Sequence, residues 1–150
     1  RAVYMVTVEK KVKKILAKNG LLIYDLVDVD KTIEHGDRFL SKQLMGEAIL
    51  NVGLGLREIL SHNCCGVINL GPFGCMPSRI AEAILSRIMN LDEKIKVTGN
   101  DGLREKYNGV SELPFLAIET DGNMFPQVIE ARLETFMLQA DRVFEKMVVD

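Results

Sequence analysis

Apolar residues along this chain recur at helical spacing in four stretches and gather into three short runs between them. Val8, Val12, Ile15 and Leu16 mark a helix within Val6 to Lys18, closed by Asn19-Gly20. Leu40, Leu44, Ala48, Val52, Leu56 and Ile59 predict a second helix over Phe39 to Leu60. Gly46, Gly53 and Gly55 weaken it by up to about 1 kcal/mol each, which close packing on a sheet would offset. Ile80, Ala81, Ile84, Leu85, Ile88 and Met89 give a third helix beginning at Pro77, a residue suited to a first turn. Ile129, Leu133, Phe136, Met137, Ala140, Val143, Phe144 and Met147 form the inner face of a fourth. The runs Leu21 to Val27, Cys65 to Leu70 and Phe115 to Glu119 read as strands. Asp25, Asp28 and Asp30 fall on a loop, and Leu91 to Glu112 is polar and turn-rich.

Helices and strands therefore alternate, which implies right-handed crossovers and a parallel sheet flanked by helices, an α/β fold. Residues 1–150 read as a single α/β domain fragment, with a lead-in helix and strand over 1–38 and a helix-strand-helix-strand-helix core over 39–150. The length suffices for one real core, and a net charge of −2 singles out neither nucleic acid nor an anionic membrane as a partner. No apolar run is long enough to span a bilayer, and no signal peptide is expected. The chain opens on Arg1, so it reads as a piece of a longer protein. Three cysteines, two of them adjacent, do not form a disulfide framework, and a reducing cytoplasm is the expected setting.

The densest chemical signal is the turn Gly71-Pro72-Phe73-Gly74-Cys75-Met76-Pro77-Ser78-Arg79. It places one thiol at the carboxyl end of a strand and just before a helix, where α/β sheets carry their sites and where a helix dipole favours negative charge. Glu119-Thr120-Asp121-Gly122-Asn123-Met124-Phe125-Pro126 is a second loop of the same kind, and parallel strands would set the two side by side. A crevice between two helix N-termini suits an anion, a phosphate or an anionic metal cluster. Cys75 reads as reactive thiol, metal ligand or packing residue. Glu119 and Asp121 read as acid–base or cation-binding groups, or, for Asp121-Gly122-Asn123, as turn chemistry. Arg79 and Arg132 read as anion contacts, as partners of Glu82 and Glu130 respectively, or as solvent-exposed. Cys64 and Cys65 lie a strand's length, nearly ~20 Å, from Cys75 and read as small core residues. His35 and His62 read as surface or helix-terminal, and Lys10, Lys11, Lys13, Lys14 and Lys18 as a solvated helix face. No phosphate loop or Ser/His/Asp signature is present, so the fragment is not expected to be catalytic by itself.

Two blocks of sequence resemble one family. They are Gly66-Val67-Ile68-Asn69-Leu70-Gly71-Pro72-Phe73-Gly74-Cys75-Met76-Pro77-Ser78-Arg79-Ile80 and Leu113-Pro114-Phe115-Leu116-Ala117-Ile118-Glu119-Thr120-Asp121-Gly122-Asn123, the latter followed by Glu130-Ala131-Arg132-Leu133-Glu134-Thr135-Phe136. Both resemble the uncharacterised domain of the large CoA-substrate-specific enzyme activase proteins, which is related to the 2-hydroxyacyl-CoA dehydratase subunits of anaerobic bacteria. The likeness covers Cys65 to Arg142, about half the chain. It implies Rossmann-like or flavodoxin-like subdomains in three layers and a [4Fe–4S] cluster in the complete protein, serving low-potential electron transfer. By the same likeness Cys75 is one cluster ligand and Glu119 lines the neighbouring crevice; with Gly74, Arg79 and Asp121, which the two loops place beside them, they make up the expected cofactor-binding residues. The implied partners are other domains of the parent, including an ATPase half, and an acyl-CoA substrate or dehydratase partner. The parent would be an ATP-dependent activase or a dehydratase-like protein. The ATP-binding segments and a full set of cluster cysteines are not in this chain. The residues leave two further readings, a module binding CoA or another phosphate-bearing ligand and a docking domain for a partner ATPase.

Overall fold

The computed structural model describes residues 2–18, 27–43, 46–60, 64–120 and 126–147. They form seven helices and two strands, divided between two compact units, Arg1–Asp30 and Lys31–Asp150. In the first unit, α1 (Ala2–Ala17) covers the expected lead-in helix and starts four residues earlier than Val6. Its apolar positions Val8, Val12, Ile15 and Leu16 are exposed, and Lys13 pairs with Glu9 at 3.0 Å along the helix. The expected cap Asn19-Gly20 and the strand residues Leu21 to Leu26 lie outside the described residues, and Val27 is not in a strand.

Asp30, expected on a loop, lies instead in the first turn of α2 (Val29–Gly36), where a carboxylate meets the positive end of the helix dipole. The helix expected over Phe39 to Leu60 is shorter: α3 runs from Ala48 to Leu60. Phe39 to Lys42 form turns after α2, and Gly46 takes a φ of 136°, which no helix accommodates. Gly53 faces α2 rather than a sheet. A Cβ there would overlap the Thr32 backbone carbonyl, so the absence of a side chain lets the two helices touch.

Strands β1 (Val67–Pro72) and β2 (Phe115–Thr120) pair in parallel, in direct register from Val67 opposite Phe115 to Pro72 opposite Thr120. Among the described residues the sheet has these two strands. β1 starts two residues later than the expected Cys65 and ends two later than Leu70. The connection is α4 (Met76–Ile88), α5 (Leu91–Thr98) and α6 (Leu103–Lys106). The last two helices occupy a stretch expected to be turns. Asn90 caps α5 by accepting hydrogen bonds from Asp92 N at 3.0 Å and Glu93 N at 3.3 Å, and Gly99 closes it at φ 66°. The final helix is α7 (Pro126–Lys146).

The main core joins Val52, Leu56 and Ile59 of α3 to Ala81, Leu85 and Ile88 of α4, with Leu91, Ile95, Leu103, Tyr107 and Val143 around them. A smaller cluster packs Phe136 of α7 on Leu116 and Ile118 of β2. On β1, Asn69 donates from Nδ2 to Ser78 O of α4 at 3.1 Å, and Gly71 leaves room for the Ser78 side chain. Alternation and register put Asn69 and Gly71 on the opposite face from Leu116 and Ile118, so α4 and α7 contact opposite faces. Two expected inner residues of α7, Met137 and Phe144, are exposed.

Candidate functional site at the carboxyl edge of the sheet

Direct register brings the carboxyl ends of β1 and β2 level with each other. Phe73 N donates to Thr120 O at 3.0 Å, which ties the turn after β1 to the end of β2. The turn reverses at Gly74, whose φ of 71° is open to glycine and strained for other residues, and no described atom stands where a Cβ would project. Cys75 is the N-cap of α4, with extended φ −69° and ψ 108°. Its N–H donates to Pro72 O at 3.1 Å and its carbonyl accepts from Arg79 N at 3.0 Å. Its half-buried side chain makes no capping hydrogen bond, unlike the Asn90 amide at the start of α5. The main chain thus fixes the position of a thiol that takes no part in holding the cap.

Arg79 lies one turn into α4 and reaches across the sheet edge. Its Nη1 donates to Glu82 Oε2 at 2.8 Å and its Nη2 to Glu119 Oε2 at 2.6 Å. The Glu82 hydrogen bond and the charge of Glu119 hold the guanidinium firmly in its charged form. Sequence alone offers the Glu82 pair, but the bond to Glu119 needs the in-register sheet. Glu119 Oε1 is buried and has no hydrogen-bond partner among the described residues. Cys75, Gly74, Arg79 and Glu119 therefore meet at one edge, while Asp121 and the remainder of its loop through Phe125 lie outside the described residues. Arg132 does not pair with Glu130; its Nη2 donates to Ala117 O of β2 at 2.6 Å.

Cys64 and Cys65 sit before β1, at the other end from Cys75, and pack against the main core. Burial pushes both thiols up from their ordinary range. Cys65 Sγ lies 3.7 Å from Met147 Sδ. Because the thiolate is the nucleophile, iodoacetamide at mildly alkaline pH is expected to modify Cys64 and Cys65 more slowly in the folded protein than in the urea-unfolded chain. Peptide mass spectrometry over a time course reads the rates, and equal rates in the two states would refute it. His35 lies half-buried in the last turn of α2, with Nδ1 unpartnered among the described residues, and His62 lies outside them.

A tetranuclear cluster takes four thiolates. This edge supplies one, the Glu119 carboxylate is engaged by Arg79, and the described residues contain no group of three or more His, Cys, Asp or Glu able to hold a metal. The donor set of the described residues does not fit a complete cluster. Two groups that sequence patterning missed lie elsewhere in the unit. One is the fully buried Lys94, read as part of a polar stretch, and the other is a cavity at the amino end of β2. No helix among the described residues is long and apolar enough to cross a membrane. No protein-family model matches the chain, and no curated protein or solved structure matches it.

Proposed function

We propose that this chain is an α/β subdomain of an activase-related or 2-hydroxyacyl-CoA dehydratase-like iron–sulfur protein, contributing Cys75 as a single ligand to a site shared with other domains. The observation that carries this reading is the Cys75 side chain, held at the N-terminus of α4 by main-chain bonds yet free of any capping bond. Helices on opposite faces of a parallel pair support a Rossmann-like or flavodoxin-like three-layer arrangement completed by further strands. The exposed Phe73 (77%) and Met76 (71%) flank Cys75 and suit a surface that meets another domain.

A docking role without a cluster is the second reading, favoured by the same two apolar residues. A phosphate or CoA site at this edge has less support, because Arg79 is already engaged by two carboxylates. The experiment is anaerobic purification of the full natural gene product, with iron and sulfide assayed in the native protein and in Cys75→Ser. The expected result is loss of about one cluster's worth of iron in the variant. Equal iron in both proteins, or none in either, overturns the ligand role. Retention of the ATPase partner by the iron-free protein would then support the docking role.

A further inference from the structure

A cavity of about 610 Å³ opens at the amino end of β2, within the size range of small-molecule sites. β2 itself separates it from the Cys75 edge, roughly 17 Å along the strand. Gln139, Arg142, Val143 and Lys146 line one wall at the i, i+3, i+4, i+7 spacing of a single face of α7. The facing wall is the end of α4 with the segment leading into β2. Three contacts hold that wall in place. Leu113 N donates to Met89 O at 2.8 Å, Leu91 N donates to Ser111 O at 2.8 Å, and Asn90 bridges to Glu112. The cavity is therefore built from fixed main chain.

Its chemistry is divided. Val110 and Phe115, both half-buried, give the cavity an apolar floor, backed by the buried Met89, Leu113 and Val143. Arg142 and Lys146 are exposed at the mouth, one helical turn apart, and neither pairs with a described carboxylate. Glu112 is the carboxylate among the lining residues, so two cations face one anion. We propose that this cavity binds a small organic carboxylate with an apolar body. Arg142 and Lys146 receive the carboxylate, for which a guanidinium offers a two-pronged fit, and the floor receives the body. A monoanion neutralises the surplus charge, whereas a phosphate would leave the apolar floor unused. The proposal is independent of the role of Cys75.

The test is titration of octanoate into the 150-residue chain, followed by calorimetry and by the backbone amide resonances of Ser111, Glu112 and Leu113. Saturable shifts at those amides are expected. Arg142→Gln and Lys146→Gln should each weaken binding by about tenfold, and Lys146→Arg should retain it. Both side chains are exposed, and unchanged circular dichroism confirms that the variants fold. Octanamide, the neutral analogue, should bind at least about tenfold more weakly than octanoate. The proposal is overturned if octanoate does not bind or if octanamide binds equally. Unchanged affinity in both Gln variants, or inorganic phosphate saturating the same amides with equal affinity, would also overturn it.

Discussion

Gly53→Ala is expected to destabilise the fold by about 3 kcal/mol or more, although alanine is ordinarily worth about 1 kcal/mol over glycine inside a helix. Gly53 is buried in the middle of α3, and an added methyl would run into the Thr32 carbonyl and approach Gly36 N at 3.1 Å. Both are main-chain atoms of α2, so no side chain can rotate away to relieve the overlap. The helices must separate, opening a gap beside Val52 and Leu56, which are fully buried. Gly55 supplies the control. A methyl there meets the tip of the Leu85 side chain. Leu85 can change rotamer, and Gly55→Ala should cost no more than about 1–2 kcal/mol. Urea unfolding of the two variants measures the contrast. Equal midpoints would mean that α2 does not press on α3 at Gly53.

The same glycine shows why apolar patterning reached only part of the fold. Val52, Leu56 and Ile59 declare a buried helix face by spacing alone, as do Ala81, Leu85 and Ile88. The parallel pairing of β1 and β2, and the position of Cys75 before a helix, follow from the order of apolar runs and the Gly/Pro turn. Gly53, however, reads as a weakness in a helix until its neighbour is known. α2 and α5 escape the pattern because each is eight residues long and rich in charge. Their evidence lies in end signals: Asp30 in the first turn of α2, and Asn90, Asp92, Glu93 and Gly99 around α5. At the candidate site, sequence isolates Cys75 and Glu119 separately. It cannot supply the Arg79 bridge, which spans 40 residues and exists because two strands are in register. Lys94 is the sharpest failure of polarity as a guide, since a lysine in a polar stretch is ordinarily solvated.

Lys94→Met is expected to stabilise the protein by about 2 kcal/mol near neutral pH, with the advantage disappearing in alkali. Lys94 is fully buried, its Nζ donates to the Tyr107 hydroxyl at 2.7 Å, and it lies 4.6 Å from the centre of the Tyr107 ring. No carboxylate pairs with it among the described residues. Burial pushes its ammonium down from 10.5 to about 8, opposed by Cys64 and aided by Lys106. A lysine with a depressed folded value binds its proton more tightly in the unfolded chain. Stability is therefore gained as pH rises through the window from about 8 to 10.5, and lost again as pH falls through 8. The full span is worth about 3 kcal/mol, and about 1 kcal/mol of it should be present by about pH 9. Cys64 and Tyr107 oppose this rise, because burial pushes both up and their folded forms keep protons that the unfolded chain releases above 9.0 and 10.0. Wild-type stability should accordingly peak in mild alkali rather than climb steadily. Both proteins carry Cys64 and Tyr107, so the comparison with Lys94→Met reads chiefly the lysine, together with the lowering of Cys64 by the Lys94 charge, which the variant also removes. Methionine keeps the length and apolar stem of lysine but leaves the Tyr107 hydroxyl unpaired, which is why about 2 kcal/mol rather than the full 3 is expected at neutral pH. Denaturant titrations from about pH 7 to 10 measure the difference between the two proteins. A difference that stays constant over that range would mean that Lys94 releases its proton at the same pH folded and unfolded, and its burial would carry no electrostatic cost.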